Sequence, residues 1–382
     1  MTTHVVIVQE YVPLYRLPFF LRLVELAKQR DIDVKVIAGS AGAKQSMRQD
    51  GAEAELVIPI WQREIRFGRR RIVFRRITQE TRSADLVIFE QARRNLDIYR
   101  LFLPRHSGRP LVALWGHGRF YGGDELPMDR NLRRAITLRA DWFFAYTNAG
   151  ADAVADWGFD RTRTTVVRNS IDTTALFRLL GSVTDDALAI FTEVHRLTQH
   201  TALYIGGLDN KKRLDFLFDA ADLVYLALPT FRLLVAGAGV DAGKVASYAA
   251  TRSWVSYLGP VFGPQKALAL RASQILVIPG AIGLVAVDSI VAGTPIVTTL
   301  DPQHGPEFDY LSPGRNVLVS RDNVVDYAAQ IEGLMRDRGR LLSFSMNCRV
   351  EAKEYSIELM AENFLRGIQG ALTTAAGRGV TA

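Results

Sequence analysis

The sequence predicts an α/β protein made of two doubly wound parallel-sheet domains. Short apolar runs such as Ile275 to Ile278 end at proline or glycine and alternate with helical patterns, which is typical of strands buried on both faces of a parallel sheet. After helical and connecting sequence at residues 173 to 198, the strand pattern begins again at Ala202. Because 382 residues can bury two full cores, we expect two such domains.

The first domain begins with a β-α-β unit, in which strands at Val5 to Val8 and Asp33 to Ile37 flank a helix at Phe19 to Arg30. The first loop, QEYVPLYRLP, contains no glycine, so the Gly-x-Gly-x-x-Gly fingerprint is absent, which argues against a nicotinamide cofactor. Open parallel sheets bind ligands at the carboxyl ends of their strands. This edge therefore carries four candidate ligand-binding side chains: Glu10, Tyr11, Tyr15 and Arg16.

Two further strands of this domain also end in polar residues. A strand at Asp85 to Phe89 leads into Glu90, and a strand at Leu111 to Trp115 leads into His117 and Arg119. A histidine between two glycines just past a buried strand is suited to ligand contact, and a core histidine is the alternative interpretation. The remaining predicted elements are helices at Leu132 to Ala140 and Thr147 to Gly158, and strands at Trp142 to Tyr146 and Val166 to Arg168.

The second domain opens with a glycine turn followed by clustered cations. Gly206 and Gly207 follow a strand at Ala202 to Ile205, and Lys211, Lys212 and Arg213 precede a helix. Cations and helix amides can share the negative charge of a diphosphate, so this turn is a candidate diphosphate clamp, with a solvated turn as the alternative. Two more strands end in glycine: Phe231 to Val235 before Gly237 and Gly239, and Trp254 to Leu258 before Gly259.

The stretch from Ser273 to Val297 predicts a strand, a glycine-bearing loop, a helix and the next strand. Gly283 allows close approach of a ligand, and free amides at the start of the helix suit a phosphate. Asp288 follows about one turn later, and the segment Asp301 to Tyr310 adds polar groups near the same crevice. A generic crossover of a doubly wound sheet is the alternative interpretation.

Positive charge is concentrated in the first half of the chain. Residues 1 to 170 contain 28 basic against 19 acidic residues, and the remainder 19 against 21. Seven arginines lie among aromatic and aliphatic residues between Trp61 and Arg76. A solvated charged face explains this patch, but the asymmetry also admits peripheral contact with an anionic membrane. Zinc-finger spacing, RNP-type aromatics and heptad-linked basic helices are absent, so we expect no nucleic-acid partner.

Composition favours a globular protein of a reducing compartment. Hydrophobic residues make up 48% and charged residues 23% of the chain. Cys348 is the one cysteine, which excludes an intramolecular disulfide framework and a cysteine-based zinc cluster. The sequence begins directly with a strand pattern rather than a secretion signal, and no apolar run is long enough to span a membrane. We therefore expect a cytoplasmic protein, with peripheral placement at the cytoplasmic membrane face left open.

Several motifs of the second domain occur in a fixed order between residues 160 and 320. They comprise Ile205, Gly206, Leu208, Lys212, Leu214, Asp215, Gly237, Gly239, Leu258, Gly259, Pro279, Gly283, Leu284, Asp288, Gly293, Thr294 and Pro295, preceded by residues 169 to 172. In combination they resemble the GT-B glycosyltransferases of family 4. The resemblance implies two Rossmann-like domains that face a central cleft. Residues 1–172 would bind the acceptor, residues 173–350 would bind the donor, and residues 351–382 would form a helix that packs back toward the first domain, then a tail.

The same resemblance implies roles for individual residues. Lys212 would hold the donor diphosphate, Asp288 would contact the nucleotide ribose, and His117 would lie near the donor sugar. Two positions depart from the family pattern: Gly207 replaces a diphosphate-binding arginine, whose charge Lys211 or Arg213 would supply, and Gly280 replaces the first glutamate of a Glu-x7-Glu pair. The other donor-binding candidates are Gly237, Gly239, Gly259, Ile282, Gly283, Leu284 and Glu307, and the acceptor-binding candidates are Glu10, Tyr11, Tyr15, Arg16, Glu90 and Arg119.

The activity implied is retaining transfer of a sugar from a nucleoside-diphosphate sugar to a glycan or lipid-linked acceptor, in cell-surface polysaccharide or glycolipid synthesis. The leaving diphosphate needs its charge stabilised, and Lys212 with a helix N-terminus can do this without a metal, so we expect no cofactor. A GT-B sugar-nucleotide epimerase or hydrolase is one alternative. A non-catalytic nucleotide-sugar binding protein is another, favoured by Gly207 and Gly280. The base, sugar, acceptor, linkage and oligomeric state stay open.

Overall fold

The computed structural model describes residues 2–41, 55–68, 70–103, 110–121, 125–300 and 303–379, so Arg69 and the predicted tail after residue 379 lie outside the described residues. The chain forms two compact units: unit 1 combines Met1–Ile171 with Ile357–Ala382, and unit 2 is Asp172–Ser356. Each unit is built on one parallel sheet, which confirms the predicted α/β class.

The described part of unit 1 contains nine strands: β1 (Thr3–Gln9), β2 (Ile32–Ala38), β3 (Val57–Pro59), β4 (Gln62–Phe67), β5 (Arg70–Arg75), β6 (Leu86–Glu90), β7 (Leu111–Gly116), β8 (Trp142–Ala145) and β9 (Thr164–Val166). Seven of them form a parallel sheet in the order β3-β2-β1-β6-β7-β8-β9. Successive side chains of a strand point to opposite faces, so Val5 and Ile7 enter one core while Val6 and Val8 enter the other. Every strand predicted for this domain is confirmed to within about two residues, as expected for apolar runs buried on both faces.

The helices described in unit 1 before unit 2 begins are α1 (Leu17–Lys28), α2 (Thr78–Thr81), α3 (Pro127–Leu138) and α4 (Asn148–Asp156), with 3-10 turns at Leu14–Arg16, Leu96–Phe102 and Arg161–Arg163. Helix α3 begins five residues earlier than predicted because Pro127 occupies its first turn, where its missing N–H costs no hydrogen bond. Helix α4 is capped by Thr147, whose hydroxyl accepts from the Gly150 amide.

Strands β4 and β5 form a separate two-stranded antiparallel hairpin that the sequence analysis did not predict, and β5 makes one isolated bridge to the rest of unit 1, between Val73 and Asn95. Its inner face packs on unit 1: Val73 is fully buried, and its amide donates to the Arg94 carbonyl over 2.7 Å. Arg75, which is 8% exposed, pairs with Asp97 over 2.6 Å. The arginine-rich patch is therefore a folded, two-faced element rather than a uniformly solvated surface.

Unit 2 contains six strands in one parallel sheet: β10 (Thr201–Ile205), β11 (Arg232–Ala236), β12 (Val255–Gly259), β13 (Ile275–Val277), β14 (Ile296–Thr299) and β15 (Val317–Ser320). Their order is β12-β11-β10-β13-β14-β15. The chain thus runs outward from β10 to β12 and then returns to the other side of β10. Such a reversal creates a crevice at the carboxyl ends of β10 and β13, which is where open α/β sheets bind ligands.

Eight helices surround this sheet: α5 (Thr173–Ser182), α6 (Asp185–Val194), α7 (Leu214–Ala227), α8 (Ala242–Ala250), α9 (Gly263–Arg271), α10 (Val285–Ala292), α11 (Val324–Arg336) and α12 (Arg338–Glu351), with 3-10 turns at Asn210–Lys212, Pro306–Tyr310 and Ala352–Tyr355. As predicted, α10 follows the glycine loop and ends at Gly293, whose φ of +69° provides a left-handed C-cap.

The last helix, α13 (Ile357–Gly379), belongs to unit 1 although it follows unit 2 in the sequence. Phe364 stacks on Phe144 with ring centroids 4.3 Å apart, and it also meets Phe19 and Trp115 edge-on. Gly367 lies so close to Phe144 and Thr165 that a methyl group there would collide with both side chains. Helix α13 is therefore an integral part of the core of unit 1. Among the described helices, none combines the length and apolar character needed to cross a membrane.

Candidate functional site

In unit 2, two loops meet at the carboxyl ends of β10 and β13. The Ala281 amide donates to the Lys211 carbonyl over 2.9 Å, and the Lys212 ammonium donates to the Ala281 carbonyl. A Cβ atom on Gly280 would collide with the Lys211 carbonyl and would lie 2.8 Å from the backbone carbon of Lys212. Glycine at position 280 is therefore required by this close approach of two backbones, which leaves no room for the longer side chain that the family pattern places there.

The glycines after β10 and β11 hold a second loop contact beside the first. Gly237 and Gly239 have φ values of +152° and +156°, and a side chain on either would collide with the backbone at Gly206 or Leu208. The Gly207 carbonyl accepts a hydrogen bond from the buried Tyr204 hydroxyl, and the Gly259 carbonyl accepts from the Gly237 amide. These predicted donor-binding glycines thus shape the floor of the crevice through their backbones.

The first turn of α10 presents unused amide groups. Within the described part of the chain, the amides of Gly283, Leu284 and Val285 donate to no protein acceptor. The Ile282 amide differs, because it donates to His304 Nδ1 over 3.2 Å. The predicted donor-binding role of Ile282 therefore cannot use a free amide, whereas Val285, which the sequence analysis did not name, offers one. Free amides at a helix N-terminus favour an anionic ligand such as a phosphate.

Buried groups from the next loop support this turn. His304 is 8% exposed, accepts from the Ile282 amide, and bonds the Thr299 carbonyl through Nε2 over 3.0 Å. Glu307 is 5% exposed, and its Oε2 would lie 3.9 Å from a Cβ atom on Gly283. The predicted donor-binding carboxylate of Glu307 is therefore adjacent to the glycine loop, as the sequence pattern suggested.

The three clustered cations differ in their surroundings. Lys211 is exposed, and Lys212 is half-buried against the Gly280 loop. Arg213 pairs with Asp322 over 2.5 Å and donates to the Thr299 hydroxyl over 3.0 Å, so its charge is used within unit 2. Of the two candidates for replacing the family arginine at Gly207, Lys211 is the one that forms no such ion pair with any described residue.

Asp288 lies in the first turn of α10 and is 7% exposed. Its Oδ1 accepts from Lys266 Nζ of α9 over 2.6 Å. Sequence reasoning identified Asp288 but missed Lys266, because the two residues lie on different helices and no local pattern links them. The pairing fixes the position of the carboxylate at the edge of the crevice.

In unit 1 the predicted acidic residues lie where β1 and β6 adjoin. Glu10 is 1% exposed and pairs with Arg71 over 2.5 Å and with Arg94 over 2.6 Å. The Glu10 amide donates to Glu90 Oε2 over 2.9 Å. Burial raises the pKa of Glu90, opposed by the charges of Arg75 and Arg94. Both predicted acceptor-binding carboxylates therefore engage arginines, two of which, Arg71 and Arg75, come from the hairpin.

The other predicted acceptor-binding residues differ in accessibility. Arg16 is 4% exposed, donates to Asn169 Oδ1 over 2.5 Å, and stacks on Trp115 with its guanidinium carbon 4.9 Å from the ring centroid. Tyr15 is 41% exposed, Tyr11 is half-buried, and Arg119 is exposed with its guanidinium over Tyr121. Tyr15 and Arg119 are therefore the most exposed members of this set.

His117 follows β7, as predicted, and its ring meets Tyr146 edge-on with centroids 4.6 Å apart. Desolvation, with smaller contributions from Arg133 and Arg16, lowers the pKa of His117 from 6.5 to about 4. The imidazole is therefore expected to be neutral at pH 7, although more than a third of the residue surface is accessible.

Within the described ranges, no group of three or more histidine, cysteine, aspartate or glutamate side chains is arranged to hold a metal ion. What the unit 2 crevice does combine is a half-buried lysine, unused helix amides and an ion-paired carboxylate. Such a set can bind a phosphorylated ligand through charge and backbone donors.

Comparisons with known proteins identify two matching family models. Residues 199–337 match the family model of group 1 glycosyl transferases, and residues 19–175 match that of glycosyltransferase family 4. A search of curated proteins by sequence gives no match.

Solved structures match the whole fold at low identity. The structure of Anabaena HepE in complex with UDP is 14% identical with a TM-score of 0.68, covering 96% of this chain and 99% of that one. Sucrose-phosphate synthase from Thermosynechococcus elongatus is also 14% identical, with a TM-score of 0.69 and coverage of 97% and 100%. A glycosyltransferase from Rickettsia africae is 12% identical with a TM-score of 0.68, covering 97% and 99%.

Proposed function

Because this chain is a glycosyltransferase of the GT-B fold with the family 4 pattern, we propose that unit 2 binds a nucleoside-diphosphate sugar and that unit 1 binds the acceptor. The observation that carries the donor assignment is the meeting of Lys212 with the Gly280 loop beside the unused amides of Gly283, Leu284 and Val285. HepE, which shares this fold, forms a complex with UDP, and this supports a nucleoside diphosphate as the class of ligand.

The proposed reaction breaks the bond between the anomeric carbon and a phosphate oxygen and forms a bond from that carbon to an acceptor hydroxyl oxygen, whose proton passes to the departing diphosphate. Negative charge then develops on the leaving diphosphate. Lys212 and the α10 amides are already in place to stabilise that charge, and such preorganised donors lower the barrier without reorganisation. Retention of configuration, and a glycan or lipid-linked acceptor at the edge formed by Tyr15 and Arg119, follow the family resemblance and are part of the proposal.

In this proposal Asp288 binds the nucleotide ribose. Its pairing with Lys266 holds the carboxylate in one orientation, so that the free oxygen can accept from ribose hydroxyls. His117, whose pKa is lowered by burial, is proposed as a ligand contact of unit 1 that offers a hydrogen bond rather than a charge at pH 7. We further place the protein at the cytoplasmic face of a membrane, as a peripheral protein acting in surface-glycan or glycolipid synthesis.

The test is a thermal-shift panel with UDP, GDP, TDP, CMP, NAD and NADP. A ligand at ~100 times its dissociation constant stabilises the folded state by about 2.7 kcal/mol. We expect one nucleoside diphosphate to raise the melting temperature and Lys212→Ala to bind it roughly 10 to 100 times more weakly, since a charge-assisted hydrogen bond is lost. Lys244→Ala, which removes an exposed lysine paired with Asp215, is the matched control.

A shift with NAD or NADP alone, or none with any nucleotide, would overturn the donor assignment. Turnover without an acceptor would instead indicate an epimerase or hydrolase. The non-catalytic alternative rests on Gly280, whose position leaves no carboxylate at that point of the loop. It predicts nucleotide-sugar binding with no turnover on any acceptor.

A further inference from the structure

The β4-β5 hairpin has a second face that points away from unit 1. Directly opposed residues of an antiparallel pair share a face, so the pairs Arg63 with Phe74 and Ile65 with Ile72 lie on the side opposite to Val73 and Arg75. The Arg76 amide donates to the Trp61 carbonyl, which extends the ladder by one pair. We call this set the outer face: Trp61, Arg63, Ile65, Ile72, Phe74 and Arg76.

The outer face is amphipathic and exposed. Trp61 is 50% exposed and Phe74 is 42% exposed, while the two isoleucines between them are half-buried. Arg76 lies over the Trp61 ring, with its guanidinium carbon 5.0 Å from the centroid. Large apolar side chains alternating with arginines on one flat surface are unusual for a solvated hairpin.

The arginines of the two faces differ in whether they form ion pairs. On the inner face, Arg71 and Arg75 pair with Glu10, Glu64, Glu90 and Asp97. On the outer face, Arg63 and Arg76 have no carboxylate within 4.0 Å among the described residues. The one acidic residue of the segment from Trp61 to Arg76 is Glu64, and its alternation places it on the inner face. The charged residues of the outer face are therefore all arginines, and these arginines can contact an anionic partner.

These features together match an anionic bilayer better than a soluble anion. A polyanion would pair with the arginines but would leave the aromatic and aliphatic side chains in water. At a bilayer surface, Trp and Phe enter the boundary between headgroups and acyl chains, while arginines meet lipid phosphates. At such a surface the apolar side chains and the arginines of the outer face are both in contact with lipid.

We propose that the outer face of the hairpin docks unit 1 on a lipid bilayer that carries anionic headgroups. This rests on the proposed function in one respect: docking would present the acceptor edge of unit 1 to lipid-linked acceptors. The hairpin and the acceptor edge are in direct contact, because inner-face arginines of the hairpin pair with Glu10 and Glu90 at that edge. The hairpin thus joins the bilayer surface on one side to the predicted acceptor residues on the other.

The test is sedimentation of the full chain with vesicles of phosphatidylcholine alone and of phosphatidylcholine with phosphatidylglycerol. We expect binding to the anionic vesicles that weakens at 0.5 M salt. Each arginine near an anionic leaflet contributes about fivefold in partitioning, so Arg63→Gln with Arg76→Gln should weaken binding about 25-fold. Trp61→Ser with Phe74→Ser should weaken binding to the same vesicles and leave a weaker, more salt-sensitive interaction.

Matched controls change the same residue types elsewhere. Arg134→Gln with Arg161→Gln removes two exposed arginines from other elements of unit 1, and Phe177→Ser with Leu226→Ser removes two exposed apolar residues from unit 2. Both should bind vesicles as the unaltered chain does. Melting temperatures of all four variants establish that they fold.

Three results would overturn the proposal: equal binding to both vesicle types, hairpin variants that bind like the controls, or retention on immobilised heparin that depends on the outer face while vesicles are not bound. Because no donor is present, vesicle binding is independent of the nucleotide panel. A chain that binds UDP but not vesicles would therefore refute docking and leave the donor assignment intact. A chain that binds vesicles but no nucleotide would support docking and refute the donor assignment.

Discussion

Lys266 on α9 donates to Asp288 on α10 over 2.6 Å, and the aspartate is 7% exposed. Removing the lysine alone would leave a nearly buried carboxylate without its partner. We expect Lys266→Met to lower the free energy of unfolding by about 1 to 3 kcal/mol. Asp288→Asn added to it should restore part of that loss, since the unpaired charge is gone. Urea unfolding of the two single variants and the double variant measures this coupling, and strictly additive losses would contradict it.

Gly280 is expected to tolerate no side chain. Because a methyl group there would collide with the Lys211 carbonyl, Gly280→Ala should force the two loops apart and lower the free energy of unfolding by about 1 to 3 kcal/mol. It should also weaken nucleotide binding, since Lys212 is held by the same contact. Gly333→Ala in α11, which has open space at its Cβ position, is the control and should be neutral or stabilising. Unchanged stability in Gly280→Ala would contradict the close approach.

The lowered pKa of His117 predicts a neutral ring across the physiological range. By NMR, the imidazole signal that disappears in His117→Asn should show no titration between pH 6 and 8. The folded pKa lies below the unfolded value of 6.5, so the unfolded state binds more protons at lower pH. His117 therefore reduces stability as the pH falls from about 6.5 toward 4, and contributes nothing to the pH dependence above that range. A titration midpoint near 6.5 would refute the shift.

The glycines of α13 are expected to be as important as its aromatic residues. A Cβ atom on Gly370 would lie 2.6 Å from the Trp142 ring, and one on Gly367 would lie 2.7 Å from the Thr165 hydroxyl. Gly367→Ala and Gly370→Ala should each destabilise unit 1 by about 1 to 3 kcal/mol, although alanine favours helices. Unfolding followed by tryptophan fluorescence, with Gly333→Ala as reference, checks this. A gain in stability would show that α13 is not packed as described.

Much of the sheet architecture could be predicted from the sequence, because the strands are buried on both faces and stand out as uninterrupted apolar runs. Val5 to Val8 and Ile275 to Ile278 are of this kind, and both are strands. The β4-β5 hairpin has no such signal. Its inner arginines are offset by Glu10, Glu90 and Asp97, which are distant in sequence, so their burial cannot be inferred from local pattern.

In the candidate site, too, some groups could be predicted from local sequence and others could not. A glycine loop before a helix predicts unused amides, and Gly283 and Leu284 provide them. The hydrogen bond that occupies the Ile282 amide comes from His304, 22 residues later, and the partner of Asp288 is Lys266 on another helix. Sequence patterns identify groups held by local geometry, whereas partners brought in by tertiary packing need the structure.

The position of α13 also bears on how the protein is made. A ribosome releases residues 1–171 first, yet the surface formed by Phe19, Trp115 and Phe144 is covered only when Phe364 and its neighbours arrive after all of unit 2. Unit 2 is continuous in sequence and can complete its core earlier. The nascent first unit therefore keeps this aromatic surface uncovered until α13 has been synthesised. Deletion of the final helix should therefore destabilise unit 1, which begins the chain, rather than unit 2, which directly precedes the helix.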